Sequence, residues 1–225
     1  MKPGLIHPLE INSTALERIV KLGIYIPEHI ESPKVIIAFD GQDLAQMAQL
    51  HRKYEALNIN QHIIVFIHYP NVSVRAEEYH PQGDKQNAMM TFVHDELLNY
   101  LLVHYNINTN DILLIGDSLA ASIALMLTIQ YPVFNKAALF SPMLTQEMII
   151  AAAETNADYY IVVGDEEYEF TLKDGTSADF LTPIQALHDT LNQNGKPHYY
   201  KELSGSHNWK TWKPEIENML NYYFL

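Results

Sequence analysis

Ser118 stands at a turn whose residue types suit a nucleophile. An apolar run at residues 112–115, ILLI, leads into Gly116, Asp117 and Ser118, and helical spacing begins directly afterwards. This strand–turn–helix context is what a nucleophile elbow G-x-S-x-G requires, because the tight turn projects the serine hydroxyl above the sheet. Ala120 stands where a second glycine is usual, and it is small enough to let the helix approach the strand. The segment predicts a serine nucleophile, although Gly-x-Ser turns also arise where serine merely caps a helix.

A histidine near the C-terminus has the position expected of a general base. His207 lies in the segment GSHNWKTW at residues 205–212, which follows the last predicted strand and precedes a closing helix. In folds built around a nucleophile elbow the chain order is serine, acid, histidine, and the histidine follows the last strand. The neighbouring glycine and two tryptophans set His207 apart from the chain's other histidines, which we interpret as scattered surface or core residues. We therefore predict that His207 takes the proton of Ser118.

Short apolar runs alternate with helical segments along the whole chain. Such runs are typical of strands buried on both faces, which occur in parallel sheets covered by helices. Strands are predicted near residues 9–13, 18–26, 35–39, 63–69, 112–115, 137–140, 159–163 and 198–203. Helices are predicted near residues 44–57, 85–104, 118–130, 145–153 and 182–194, with a long loop after Pro70. The pattern predicts an α/β fold with about eight mostly parallel strands, in a single domain over residues 1–225.

Composition excludes several classes of function. The chain has 225 residues, 48% of them hydrophobic and 18% charged, which is ordinary for a globular domain. Its net charge of −13 repels polyanions, so we expect neither nucleic acid nor an anionic membrane as a partner. The absence of cysteine excludes disulfides and thiol nucleophiles. No signal-peptide-like segment or membrane-length apolar run is visible, so the expected location is cytoplasmic.

No metal site is predicted from the histidines. His62 and His68 lie six residues apart around a buried strand, and His94 has no second histidine one helical turn away. Neither arrangement matches the ligand spacings typical of zinc motifs, and scattered histidines are the better interpretation. We therefore expect no metal and no other cofactor, and a homo-oligomer remains possible.

Three motifs together resemble one family of esterases. They are GSHNWxxW at residues 205–212, Asp40-Gly41-Gln42 after the first buried parallel strand, and GDSLA at residues 116–120. This combination resembles the esterase D / enterochelin esterase group of α/β-hydrolases, and the similarity covers nearly the whole chain, including the N-terminal strand pair. The resemblance implies the α/β-hydrolase fold and hydrolysis of acyl esters, from siderophore lactones to feruloyl, acetyl and short-chain glyceryl esters. Ala120 and Ala121 depart from the paired glycines of that group.

The triad acid is expected after the predicted strand at residues 159–163, where Gly164 is followed by three carboxylates. The usual spacing puts the acid at the third position after the glycine, which is Glu167, and a glutamate can orient an imidazole as an aspartate does. Four other carboxylates remain open as alternatives: Asp165, Glu166, Asp174 and Asp179. A Ser–His pair without an acid also remains open.

Backbone N–H groups are the expected donors of the oxyanion hole. Leu119, at the start of the helix after Ser118, is predicted to supply one. The second is expected from Gly41 or Gln42, in the loop after the strand at residues 35–39. In the resembling group the loop that follows residue 70 carries an arginine that contacts substrate, so Arg75 is the candidate substrate-binding residue, and a solvated arginine is the alternative.

These residues predict two-step acyl transfer to water through an acyl-enzyme on Ser118. The expected substrates are short-chain acyl or siderophore-type esters. Residues 141–157 offer room for one crossover helix only, so no cap domain and an open pocket are predicted. An acyltransferase with the same triad is an alternative, in which a second alcohol replaces water. A catalytically silent α/β-hydrolase-fold binding protein is another, and the intact Ser118 and His207 speak against it.

Overall fold

The apolar runs form strands in the computed structural model, which describes residues 4–28, 30, 32–171 and 175–225. In chain order the strands are β1 (Ile6–Ser13), β2 (Arg18–Tyr25), β3 (Lys34–Ala38), β4 (His62–Ile67), β5 (Ile112–Asp117), β6 (Lys136–Phe140), β7 (Asp158–Gly164), β8 (Phe170–Thr171), β9 (Ser177–Ala178) and β10 (His198–Leu203). Within the described residues, eight of these strands form one sheet, and β8 and β9 pair separately as a short antiparallel ribbon.

The order of strands across the main sheet is β1-β2-β4-β3-β5-β6-β7-β10. Six neighbouring strands run parallel to one another: β4, β3, β5, β6, β7 and β10. Strands β1 and β2 form an antiparallel hairpin, and β2 pairs antiparallel with β4. The prediction of about eight mostly parallel strands in an α/β-hydrolase fold is therefore confirmed. All carboxyl ends of the parallel strands meet at one edge of the sheet, and loops at that edge carry ligand sites in folds of this kind.

Helices cover both faces of the sheet. They are α1 (Gly41–Gln46), α2 (Leu50–Ala56), α3 (Val72–Tyr79), α4 (Gln86–Thr91), α5 (Leu98–Tyr105), α6 (Leu119–Gln130), α7 (Gln146–Glu154), α8 (Leu181–Gln193), α9 (Trp209–Trp212) and α10 (Ile216–Phe224). A π-helical segment, Phe92–Leu97, joins α4 to α5. Helices α1, α2, α9 and α10 pack on one face and α3 to α8 on the other, so the sheet lies between two apolar cores.

Alternation of side chains along the strands builds both cores at once. In β3, Val35 and Ile37 belong to one core, and Ile36 and Ala38 belong to the other, all with no exposed surface. Successive side chains of a strand point to opposite faces, so a strand covered on both sides must be apolar throughout. This explains why β3 is continuously apolar after Lys34.

The segment after Pro70 differs from the prediction. Residues 70–84 were expected to form a long loop, but most of them form α3, which begins where the Asn71 side chain accepts a hydrogen bond from the Val74 N–H. Apolar periodicity does not reveal this helix, because one of its two buried residues is Glu78, whose charge Arg18 neutralises. The predicted helix at 44–57 is likewise two short helices, separated by Gln49 in a left-handed conformation.

One helix, α7, fills the connection between β6 and β7. This connection therefore consists of one crossover helix, the arrangement that its length predicts. The helices of the described ranges include none that is both long and apolar enough to cross a membrane.

Candidate active site

Ser118 lies at the carboxyl end of β5 in a strained turn. Its backbone has φ 53° and ψ −126°, a conformation that residues with a side chain rarely adopt. Its N–H donates to the Phe140 carbonyl at 2.8 Å, and α6 begins at the next residue. A Cβ added at Gly116 would lie 2.2 Å from the Ala120 carbonyl oxygen. Glycine at 116 therefore lets α6 turn back sharply against β5, which holds Ser118 at the top of the sheet.

His207 bridges the serine hydroxyl and a carboxylate. Its Nε2 lies 2.9 Å from Ser118 Oγ, and its Nδ1 lies 2.6 Å from Glu167 Oε2. When the Nδ1–H donates to Glu167, Nε2 carries the lone pair that can accept the serine proton. These three side chains come from the ends of β5, β7 and β10, and they have the geometry of a Ser–His–acid triad.

Glu167 is fixed on both of its carboxylate oxygens. It has no exposed side-chain surface, and its Oε1 accepts hydrogen bonds from Ser141 Oγ and the Gly164 N–H, both at 2.8 Å. With Oε2 bound to His207, the carboxylate has one orientation available. A buried charge is tolerated in such a place because each oxygen has a partner.

Two residues to which the sequence analysis assigns no role in the triad, Ser141 and Trp212, contact the acid directly or through one hydroxyl. Ser141 follows β6 with φ 48°, and its hydroxyl donates to Glu167 while accepting from the Trp212 indole N–H at 2.9 Å. Trp212 also stands edge-on to the His207 ring at 4.9 Å between ring centres, so it packs against the base and anchors the acid. Trp209, the other tryptophan of the GSHNWxxW motif, contacts Trp212 edge-on at 5.6 Å.

Aromatic rings cover the remaining face of the base. Phe180 stacks on the His207 imidazole at 4.1 Å between ring centres, and Phe170 lies at 4.9 Å. Phe180 and Phe170 come from the segment around the β8–β9 ribbon. No motif marks these residues in the sequence, since two phenylalanines in a polar connection resemble ordinary core contacts.

The other carboxylates considered for the acid have different partners. Asp165 Oδ1 accepts from the Gly205 N–H at 2.9 Å, Glu166 is exposed, and Asp179 Oδ1 accepts from the Thr182 N–H. Asp174 lies outside the described residues. Among the described side chains, no group of three or more histidines and carboxylates is arranged to hold a metal ion.

The predicted oxyanion donors lie at the same edge of the sheet as Ser118. Leu119 is the first residue of α6, and Gly41 and Gln42 are the first two of α1, so their N–H groups have no acceptor within their helices. Strands β3 and β5 are hydrogen-bonded neighbours, which brings the two helix starts together. A Cβ on Gly41 would lie 2.5 Å from the Phe66 carbonyl carbon, so only glycine lets this loop approach β4 so closely.

Arg75 binds a carboxylate of the protein itself. Its Nε and Nη2 donate to the carboxylate of Asp40, and its Nη2 also points to the Asp117 carbonyl at 3.4 Å. The Arg75 side chain is 16% exposed and the Asp40 side chain 2%. Burial raises the pKa of the nearby Asp117 carboxyl well above its usual range, and the negative charge of Asp40 raises it further. The substrate contact predicted for Arg75 stays a prediction.

Comparison with known proteins points to one enzyme family. The family model described as "Putative esterase" matches residues 13–223. The "Uncharacterized protein YjcH" of Bacillus subtilis (strain 168) is 29% identical over 232 residues, which cover 96% of this chain and 95% of that protein.

Solved structures of esterases share the fold. The enterobactin esterase FES from Shigella flexneri superposes with a TM-score of 0.77 at 16% identity, covering 100% of this chain. The chain spans 64% of the length of that enzyme. An IroE-like serine hydrolase from Shewanella oneidensis gives a TM-score of 0.78 at 15% identity, over 98% of this chain and 80% of the other. At such identities the likeness shows a common fold.

Proposed function

We propose that the chain is a serine carboxylic ester hydrolase acting through Ser118. It belongs to the esterase family whose model matches residues 13–223, and membership of this family is evidence for ester hydrolysis. The observation that carries the proposal is the continuous hydrogen-bonded relay from Ser118 through His207 to Glu167. A serine hydroxyl is a weak nucleophile on its own. It becomes reactive when a correctly oriented base removes its proton during attack.

Acylation follows from the orientation of the imidazole. His207 Nε2 takes the Ser118 proton while Oγ forms a bond to the ester carbonyl carbon, which becomes tetrahedral. The N–H of Leu119 and that of Gln42 or Gly41 stabilise the oxyanion, and Glu167 stabilises the imidazolium. The imidazolium then gives its proton to the leaving alcohol. The acyl group remains on Ser118 as an ester.

Deacylation repeats these steps with water. His207 takes a proton from a water molecule as the water oxygen attacks the acyl carbon. The second tetrahedral intermediate then collapses: the bond from the acyl carbon to Ser118 Oγ breaks, the imidazolium returns the proton to Oγ, and the acid is released. The chain's own side chains supply every proton transfer, so the proposed reaction requires no cofactor.

An open site favours short acyl groups. The connection between β6 and β7 contains α7 alone, and in this fold that connection is a usual place for a cap. Without a cap, an added methylene is buried only in part, so it contributes less than the ~0.8 kcal/mol of full burial. We therefore propose esters with short acyl chains, and siderophore-type esters whose bulk lies on the alcohol side.

Partitioning of the acyl group between water and methanol tests the acyl-enzyme. Esters that share an acyl group but differ in the alcohol must give the same ratio of acid to methyl ester, because all of them pass through one intermediate. A ratio that changes with the leaving alcohol would contradict the mechanism. Predominant transfer to alcohol at low methanol concentration would favour the acyltransferase, and no turnover of any ester would favour a silent binding protein.

A further inference from the structure

One buried ion pair stands directly beside the proposed site. Arg75, on α3, donates from Nε to both oxygens of Asp40 at 2.8 Å and from Nη2 to Asp40 Oδ2. Asp40 is the residue before α1, and its side chain is almost completely buried. Paired and hydrogen-bonded charges of this kind are strongly directional, because the planar guanidinium matches the carboxylate.

The same guanidinium reaches the nucleophile segment. Arg75 Nη2 lies 3.4 Å from the carbonyl oxygen of Asp117, the residue that precedes Ser118. One side chain therefore joins two separate parts of the site. The first is the loop of Asp40, Gly41 and Gln42, which we call the oxyanion loop, and the second is the elbow of Ser118.

The backbone of Asp40 needs such support. It has φ 50° and ψ 45°, in the left-handed region that residues other than glycine seldom occupy. From this conformation the Asp40 carbonyl accepts hydrogen bonds from Asp43 N–H at 2.8 Å and Leu44 N–H at 3.0 Å, which start α1. The direction of the Gly41 and Gln42 N–H groups thus depends on the conformation of Asp40.

Arg75 is the cation that pairs with this cluster of carboxylates. Asp117 Oδ1 is buried and has no hydrogen-bond partner among the described residues, whereas both oxygens of Asp40 are bound. Burial and the negative charge of Asp40 raise the pKa of Asp117. Burial also raises the pKa of Asp40, and the hydrogen bonds and charge of Arg75 oppose that rise. The rings of Tyr69 and Tyr79, at 5.7 and 6.0 Å, surround the rest of the guanidinium. Little of Arg75 is left to bind a substrate.

We propose that Arg75 is a positioning residue, which acts through Asp40 and the Asp117 carbonyl to hold the oxyanion loop in register with Ser118. This inference rests on the proposed hydrolase function. It gives Arg75 a different task from substrate binding, since its Nε and Nη2 donors face the protein. Its effect should be felt in the transition state, where the oxyanion forms, and little in the ground-state complex.

A matched pair of variants separates positioning from general stability. Asp40→Asn removes the charge from the pair, and asparagine tolerates the left-handed conformation as well as aspartate does. Glu78→Gln is the control, because Glu78 also lies on α3 and is also a buried carboxylate bound on both oxygens by one arginine, Arg18. The Arg18–Glu78 pair makes no contact with the oxyanion loop or the elbow in the described hydrogen bonds.

We expect Asp40→Asn to lower kcat on a short aryl ester by about 10²-fold or more, the size of losing one oxyanion donor, with KM changed less than about threefold. Both variants should lower the melting temperature, and by similar amounts. Glu78→Gln should leave kcat within about twofold of the wild-type value. Equal losses of kcat in the two variants would reduce the Asp40–Arg75 pair to a structural role and overturn the proposal. So would a raised KM with unchanged kcat.

Arg75 variants keep the proposal testable if Asp40→Asn does not fold. Arg75→Met should lose about as much kcat as Asp40→Asn, and Arg75→Lys should fall between Arg75→Met and the wild type, because lysine can pair with Asp40 but lacks the fork. A trifluoromethyl ketone, which forms an oxyanion adduct with a serine, should bind more weakly in parallel with kcat/KM. Full activity in Arg75→Lys, or unchanged inhibitor affinity in Arg75→Met, would contradict it. If the wild type shows no Ser118-dependent turnover, the proposed function fails, whereas an active wild type with unaffected variants refutes only the role of Arg75.

Discussion

The two ends of the parallel strands differ in how their polar groups are satisfied. At the amino ends, Asp111 lies between Lys34 and Lys136, at 2.7 Å from each. Burial alone would raise the pKa of Asp111, but the hydrogen bonds and charges of the two lysines outweigh it and lower the pKa. At the carboxyl ends, Asp40 and Asp117 share one arginine, and the pKa of Asp117 is raised.

Backbone strain follows the same division. Positive φ angles in the loops that lead to the amino ends of β4 and β5 fall on Asn58, Asn60 and Asn106, a residue type that tolerates them. At the carboxyl ends they fall on Asp40, Ser118 and Ser141, and serine tolerates them less well than asparagine or aspartate does. Ser32, before β3, is a third serine with positive φ and lies at the amino ends. The strained serines and the raised pKa of Asp117 beside the proposed triad agree with our proposal that the carboxyl edge carries the function.

The largest expected effect on activity comes from a change at the carboxyl ends of the strands. Ser118→Ala should reduce ester hydrolysis on the order of 10³-fold or more, because the residual rate then comes only from binding and the oxyanion hole. The melting temperature should stay close to the wild-type value, since alanine keeps the Cβ and the change removes only a half-buried hydroxyl. Steady-state assays with an aryl acetate measure the loss of activity. Near wild-type turnover in the purified variant would show that Ser118 is not the nucleophile.

The next effect distinguishes two acids at the same edge. Glu167→Gln should slow hydrolysis by on the order of 10²- to 10⁴-fold. The amide can neither stabilise the imidazolium nor fix the tautomer of the neutral imidazole. Asp165→Asn removes a carboxylate two residues away that binds the Gly205 N–H, and it should cost far less. Comparing kcat of the two variants on one ester shows which of the two carboxylates acts as the triad acid. If Asp165→Asn proves the more damaging, the acid has been assigned to the wrong residue.

Much of this edge was predictable, because local sequence marks it. Ser118 and His207 stand in motifs whose residues are neighbours in the chain, and Glu167 is separated from Gly164 by a short fixed spacing. The contacts of Ser141 with Glu167, and of Arg75 with Asp40, join residues 26 and 35 positions apart. Helix α3 was missed for the same reason, since its buried Glu78 makes sense only once Arg18 is beside it.

At the amino ends we expect the opposite outcome, a loss of stability without a loss of activity. Asp111→Asn should lower the free energy of unfolding by about 1–3 kcal/mol near neutral pH, because two lysines lose their charged partner. In the wild type the folded state lowers the pKa of Asp111. The stability that Asp111 contributes is therefore fully present above the unfolded pKa of about 3.9, and it is lost as pH falls through the lower pKa of the folded state. Urea denaturation of both proteins between acidic and neutral pH measures the difference, and kcat should be unchanged. A difference that persists undiminished at the most acidic pH would contradict the sign of this shift.

The smallest effect concerns the open site. Activity should peak at acetyl to butyryl esters and fall for longer chains, because added methylenes remain partly in water. The rate should show no jump when the substrate exceeds its solubility limit, since no lid needs to open. Rates that rise steadily from acetyl to palmitoyl esters would indicate an enclosed acyl tunnel.

The most direct test of the account is to locate the reactive nucleophile. A fluorophosphonate forms a stable bond with a serine that a neighbouring base activates, and mass spectrometry of the intact and digested protein identifies the modified residue. We predict one adduct per chain on Ser118, absent from Ser118→Ala and unchanged in Ser73→Ala, which alters an exposed serine on α3. An adduct on any other residue, or an active wild-type protein that resists labelling, would contradict the assignment of Ser118 as the nucleophile.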